Sequence, residues 1–271
     1  APLLLMTAYA DWIGRERRRT ALTEAGDLAR LAAVLGRPAS PVEVPPAWHW
    51  ACLAEPIRRS DLGPDGHPRR GLFLPPIEAP RRMFAAADMA FLGALLVGVE
   101  TELVETITNV EEKNGASGPL TFVTVERVFS QTSAACVTER QTIVYTAAPP
   151  APRTPDADPT PVADWSRDTA TDPVLLFAFS AATANGHRIH YDLDYASRVE
   201  GYPGLVAHGP LIALLLLEAM PARPLKRFSF RALKPAFSGE TITAEGRLDG
   251  DRAELWANSD GAVLMKATAT F

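Results

Sequence analysis

Cysteine is nearly absent. Cys52 and Cys136 are the only two, they lie far apart, and neither belongs to a C-x-x-C pair, which excludes a disulfide framework and a cysteine zinc site. A positive charge excess is lacking too: 27 Lys and Arg stand against 32 Asp and Glu, a formal net charge of -5. No global basic field exists to hold nucleic acid or an anionic membrane. Long apolar runs are missing as well. The greasiest stretch, Leu205 to Met220, is broken by His208, Pro210 and Glu218 and falls short of the ~18 apolar residues that suggest a membrane span. The opening Ala1-Pro2-Leu3-Leu4-Leu5-Met6 has no basic leader and too short an apolar stretch for a signal-peptide core. The expected compartment is the reducing cytoplasm.

What the chain does have is apolar surface to bury. Its 271 residues are 47% hydrophobic and 22% charged, the balance of a soluble globular protein with one large domain or two smaller ones. The clearest boundary is the Ala- and Pro-rich stretch 147–160, which has no hydrophobic period and few free backbone donors. It reads as a stiff, extended linker between an N-terminal domain, 1–146, and a C-terminal domain, 161–271.

The two parts repeat one order of elements. In the first, Thr23 is placed to cap a helix through Leu28, Leu31, Ala32 and Leu35, stopped by Gly36 and Pro38. Strand patterns follow at Glu102–Glu111, Leu120–Phe129 and Cys136–Tyr145, with a turn over Lys113–Pro119. In the second, Val174–Phe179 is strand-like, and Gly209–Met220 is a helix with Pro210 in its first turn. Strands follow at Arg227–Leu233, Thr241–Leu248, Ala253–Asn258 and Ala262–Phe271. Leucines and Ile212 surround the second helix, so it must be buried nearly all round. A long helix wrapped by an antiparallel sheet in each half is the simplest arrangement, an α+β double hot-dog.

Chemistry-bearing residues concentrate in Thr183–Asp192, between that first segment and the buried helix. Loops on rigid supports are where such groups gather, although a hydrogen-bonded structural loop is the alternative. His187 and His190 flank Arg188, whose charge opposes a cation, and no third ligand has a recognisable spacing, so no metal site is expected. His190 suits a neutral base working without a large pKa shift. Gly209 at the start of a buried helix offers an unshielded N–H at the positive end of the helix dipole, where a thioester oxygen could become an enolate. The alternative there is a glycine that only allows close packing.

The loop resembles the signature of the R-specific enoyl-CoA hydratases and MaoC-like dehydratases, aligned on His190 with Ala196 as its final small residue; the family's catalytic aspartate falls on Asn185. It is more similar to the branch holding the type 2 hydroxyacyl-thioester dehydratases and the mesaconyl-CoA and itaconyl-CoA hydratases. Phe177, Ser180 to Asp192, Glu200 to Leu205 and His208 to Pro210 follow that pattern. The first half resembles it at Asp11–Gly14, Trp48–Trp50, Gly63–Pro68 and Pro80–Met83, and departs at Gly93-Ala94 and Val99. There, Leu31–Gly36 resembles the helix before the signature, but the following Arg37-Pro38-Ala39-Ser40 lacks its Asn and His. The first half is therefore expected to shape the acyl pocket without catalytic groups.

The resemblance implies a cofactor-free hydro-lyase on a 2-enoyl thioester, coenzyme A being part of the substrate. His190 would be the base towards water, Asn185 would orient that water, and Gly209 would polarise the carbonyl. Arg82, Arg188, Tyr191 and His208 are the candidate substrate-binding residues, with Arg188 and Tyr191 also read as fixing the loop; His187 is not read as catalytic and fits a structural role. A short branched dicarboxylic acyl group such as mesaconyl or itaconyl would need a cation, which Arg82 or Arg188 could supply; Arg81 and Arg82 on the surface, or on the CoA phosphates, are the alternative. The other readings are a 3-hydroxyacyl dehydratase of fatty acid metabolism, a non-catalytic thioester-binding hot-dog, and a thioesterase. The expected partner is an acyl-CoA or acyl carrier protein thioester, with a homodimer open to the chain and neither nucleic acid nor membrane.

Overall fold

The computed structural model describes residues 8–38, 42–55, 57–115, 118–157 and 160–271. The Ala1–Met6 opening, Ala39-Ser40 and Ala116-Ser117 of the expected turn lie outside the described residues. The first half contributes β1 (Glu16–Leu22), β2 (Arg81–Phe91), β3 (Glu100–Gly115), β4 (Gly118–Gln131) and β5 (Ala134–Thr146). The second contributes β6 (Trp165–Ala170), β7 (Arg227–Ala232), β8 (Thr241–Asp249), β9 (Arg252–Ser259) and β10 (Ala262–Thr270). The helices are α1 (Ala25–Leu35), α2 (His49–Cys52), α3 (Pro173–Ala182) and α4 (Gly209–Ala219).

All ten strands form one antiparallel sheet in the order β1-β3-β4-β5-β2-β7-β10-β9-β8-β6. Read from each outer edge inward, both halves place their first, third, fourth, fifth and second strand in that sequence. The expected repeat is thus a topological one, and the fold is a double hot-dog. The seam is β2 on β7, Ala86 opposite Arg231 through Ala90 opposite Arg227. Phe84 and Phe230 cross it with rings 5.5 Å apart, and Trp50 packs on both.

Four expectations are corrected. Val174–Phe179 is helical, inside α3. Asp172 caps it by accepting the Leu175 N–H at 2.7 Å, Pro173 presets its first turn, and Leu176, Phe179 and Ser180 make a three/four-spaced buried stripe. A continuous apolar run reads equally as strand or helix, and here the cap decides. Thr23 does not cap α1; it is fully buried with its hydroxyl on that of Thr101 at 2.9 Å, and the N-cap position falls to Glu24. Gly36 does end α1, at φ 63° with its N–H on the Ala32 and Ala33 carbonyls. Within Lys113–Pro119, Lys113–Gly115 belongs to β3 and Gly118-Pro119 to β4, so the paired strands run further than the pattern suggested. Finally, α4 lies along the sheet against β6, β8, β9 and β10, whereas α1 packs chiefly on α3 and α2. Edge strands β1, charged and alternating in exposure, and β6, mostly exposed, escaped the hydrophobic pattern altogether.

The 147–157 part of the linker has no helix or strand and is fastened to the second half. Arg153 bonds the Pro235 carbonyl and the Glu240 carboxylate, and Lys234 bonds Asp156. On the first half, Ile77 with Phe73 and Leu74 covers Ile107, Val123, Val125 and Tyr145. That packing anchors the segment carrying Gly63–Pro68. Among the described residues no helix is long and apolar enough to cross a membrane.

Candidate active site

The signature loop is built by local hydrogen bonds. After α3 the chain reverses through Ala184 at φ 49°, with the Asn185 N–H on the Ser180 carbonyl at 2.9 Å. The Asn185 side-chain carbonyl accepts the His187 N–H at 3.0 Å, an Asx turn that leads into the 3-10 turn Arg188–His190. Arg188 grips the Asp192 carboxylate at 2.7 and 3.0 Å and the Pro64 carbonyl of the other half at 3.0 Å. Tyr191 donates its hydroxyl to the Gly186 carbonyl at 3.0 Å.

This frame fixes His190. Its Nδ1 lies 2.7 Å from the Val206 carbonyl, which can only accept, so Nδ1 carries the proton and Nε2 keeps a lone pair. The ring stacks on His208 at 3.5 Å with the planes 20° apart, and His208 bonds the Ser180 hydroxyl at 2.8 Å. Burial pushes the His190 pKa down to about 3, His187 adding to the effect and the Val206 carbonyl opposing it. The expectation of a base without a large shift is therefore corrected. His190 is neutral throughout the physiological range, and burial is the reason.

Asn185, His190 and Gly209 line one cleft of about 1300 Å³. Gly209 opens the buried α4, and its N–H has no acceptor among the described residues. A Cβ there would sit 3.4 Å from the Phe84 carbonyl, so β2 closes in on the helix start. Arg82, also on the cleft wall, is 7% exposed, and its Nε and Nη2 are without hydrogen-bond partners. Its nearest carboxylate is Asp65, 3.7 Å away. The cleft thus offers a base, a neutral amide, a free N–H at a helix start and a buried cation, a set suited to polarising an unsaturated thioester and activating water beside it.

Other expected residues lie elsewhere. Arg188, Tyr191 and His208 are not on the cleft lining. Arg188 is spent on Asp192 and Pro64, Tyr191 is 47% exposed, and His208 is fully buried behind His190. Their placement fits positioning of the loop, the reading already open for Arg188 and Tyr191. The first half's His49 bonds Glu139 and is likewise off the cleft.

Sequence reasoning missed Asp65, His67 and Glu200 as parts of the site. Asp65 and His67 bring ligand atoms within 4.8 Å of His187. Spacing could not reveal this grouping, because Asp65 and His67 arrive from the other half, and His190 is not part of it. Arg82 beside Asp65 opposes a dication there, and Asp65 already accepts the His67 N–H at 3.0 Å. Glu200 lies 3.2 Å from His187 Nε2, and burial raises its pKa to about 7, with the Asp65 charge adding and Arg81 opposing. The Gly63–Pro68 and Glu200–Leu205 stretches stood out only as family likeness.

Comparison with known proteins follows the same lines. The hydroxyacyl-thioester dehydratase type 2 family matches residues 47–238. A mesaconyl-C(4)-CoA hydratase of Chloroflexus aurantiacus is 43% identical over 270 residues, 96% of each chain. Among solved structures, a MaoC-like dehydratase from Phytophthora capsici superposes with a TM-score of 0.70 at 16% identity, covering 97% of this chain and 98% of that one. A Mycobacterium tuberculosis protein with a double hotdog fold gives 0.57 at 14% identity, covering 95% and 96%. At those identities the superpositions speak for the fold alone.

Proposed function

The chain belongs to the hydroxyacyl-thioester dehydratase type 2 family, and from that premise we propose that it is a hydratase adding water reversibly to the double bond of a 2-enoyl thioester. The observation that carries this is His190, its Nδ1 tied to the Val206 carbonyl so that Nε2 is left to accept a proton, in one cleft with Asn185 and Gly209.

In this reading Nε2 of His190 takes a proton from water while the water oxygen bonds the β carbon. Asn185, uncharged, orients that water through its amide. Charge moves to the thioester oxygen, which the free Gly209 N–H and the start of α4 stabilise as an enolate. The α carbon then takes a proton. In reverse, protonated His190 donates to the leaving hydroxyl. The reaction as proposed uses no cofactor, coenzyme A entering as part of the substrate.

The preferred acyl group is short, branched and dicarboxylic, of the mesaconyl or itaconyl type. Arg82 supports this choice: a buried guanidinium with two nitrogens free of hydrogen bonds suits a carboxylate that must lose its water. The name of the Chloroflexus relative points the same way. Loss of enoyl absorbance from mesaconyl-CoA without release of free thiol is the expected result; thiol release would instead mean a thioesterase, and no change in either signal a binding protein.

A further inference from the structure

Hydration needs two proton acceptors in sequence, the base at water and then the α carbon, and Asn185 stands where relatives' aspartate would titrate. The loop holds another titratable group facing the same cleft. His187 lines it, is 3% exposed, and is anchored through its backbone to the Asn185 side chain. Its ring lies 5.4 Å from that of His190, nearly perpendicular. Nε2 points back at Glu200, 3.2 Å away, whereas Nδ1 has no partner among the described residues. Glu200, 5% exposed, closes the π turn Tyr195–Val199, its N–H on the Tyr195 carbonyl at 3.2 Å.

We propose that His187, backed by Glu200, is the acid that protonates the α carbon in hydration and the base that removes the α proton in dehydration. This rests on the hydratase reading above. In the resting state the Glu200 carboxyl donates to Nε2, and Nδ1–H faces the cleft. During hydration the water oxygen bonds the β carbon and its proton goes to His190 Nε2, while the π electrons move onto the thioester oxygen. That pair returns to form the α C–H bond with the Nδ1 proton, and the Glu200 proton crosses to Nε2. The His190 imidazolium then passes its proton through solvent in the cleft to His187 Nδ1, and the Nε2 proton goes back to Glu200, so the resting tautomer is restored and the cycle balances.

The surroundings support the starting state. Burial lowers His187 to about 4, Arg82 lowering it further and Asp65 opposing, and burial raises Glu200 to about 7. The shared proton therefore rests on Glu200. Asp65, Arg70, Arg81 and Tyr195 act on Glu200, Tyr202 is coupled to it, and His67 stacks on His187 at 4.1 Å. In His187 and Glu200, the loop regains the titratable function that Asn185 does not provide.

The test compares the full-length wild type with His187→Gln and Glu200→Gln on mesaconyl-CoA and crotonyl-CoA across pH. Wild-type kcat for hydration is expected to fall as pH rises through about 7, as Glu200 loses its proton. Glu200→Gln, whose amide can still donate to Nε2, should lack that limb, and both variants should lose about 10²–10⁴ in kcat with little change in KM. A larger primary isotope effect on dehydration of the α-deuterated product should accompany the loss in His187→Gln. Near-normal kcat in folded His187→Gln, or a Glu200→Gln profile that keeps the limb, would overturn the assignment while leaving hydration intact. A wild type that hydrates no enoyl-CoA would instead overturn the hydratase reading, and this assignment with it.

Discussion

Gly66 of the first half and Gly186 of the signature loop meet backbone against backbone. A Cβ added at Gly66 would fall inside the Gly186 carbonyl, and one at Gly186 would lie 2.6 Å from the Gly66 carbonyl. Gly66 also sits at φ 85°, where other residues are strained. Beside this contact the Arg188 N–H bonds the Asp65 carbonyl at 2.9 Å, so the first half holds the loop that carries His190.

Gly66→Ala is therefore expected to act at a distance. The left-handed backbone costs about 1–2 kcal/mol, and the displaced loop should lose about 10²-fold in kcat through misplacement alone. Steady-state kinetics beside thermal unfolding measures both; unchanged kcat would show that the loop does not need this contact.

His190→Ala should remove about 10²–10⁴ of the hydration rate with the far-ultraviolet spectrum retained. Its acid sensitivity should change too. The folded pKa of His190 is depressed to about 3, against ~6.5 when unfolded, so its contribution to stability is present above the unfolded value and is lost as pH falls through this window. Thermal midpoints between these pH values should fall less steeply in the variant than in the wild type.

Asn185→Asp can keep the turn, because a carboxylate oxygen also accepts the His187 N–H now held at 3.0 Å. Loss of kcat should stay smaller than the ~10² that marks removal of an acid–base group, and activity should gain an acid limb as the new carboxylate is protonated at low pH. A folded but inactive variant would mean that the amide donor is itself required.

Arg82→Met should separate substrates. If the guanidinium binds the second carboxylate, KM for mesaconyl-CoA should rise about 10- to 100-fold, the equivalent of a charge-assisted hydrogen bond, and KM for crotonyl-CoA much less. Equal losses on both substrates would place Arg82 on the coenzyme A moiety.

Residues 161–271 expressed alone should be insoluble or inactive, although they hold Asn185, His190 and Gly209. Cutting at 147–160 would strip β2 from β7 over Ala86–Ala90 and expose a sheet edge and the Phe230 ring face. An active monomeric fragment, assayed after size-exclusion chromatography, would show instead that the two parts, 1–146 and 161–271, are independent domains.

The sequence by itself determined the elements whose signals are local. The buried leucines of α4, the Gly36 stop, the long strands of both halves and their repeated order all follow from periodicity and turn chemistry, and Asn185, His190 and Gly209 were legible as candidates from two short motifs. Where two local signals competed, as in Val174–Phe179, apolar continuity alone could not choose, and the Asp172 cap with Pro173 did. The charged edge strands gave no apolar pattern because only part of each faces the core. Tertiary structure alone decided the rest. It set Asp65 and His67 against His187, although Pro64 and Arg188 are 124 residues apart, and it buried His190 until its pKa fell to about 3. It also turned Arg188 away to Asp192 and left Arg82 on the cleft wall with Nε and Nη2 lacking hydrogen bonds, 3.7 Å from Asp65. Burial and long-range pairing depend on which surfaces the halves hide from water when β2 joins β7, and residue order along the chain does not encode those distances locally.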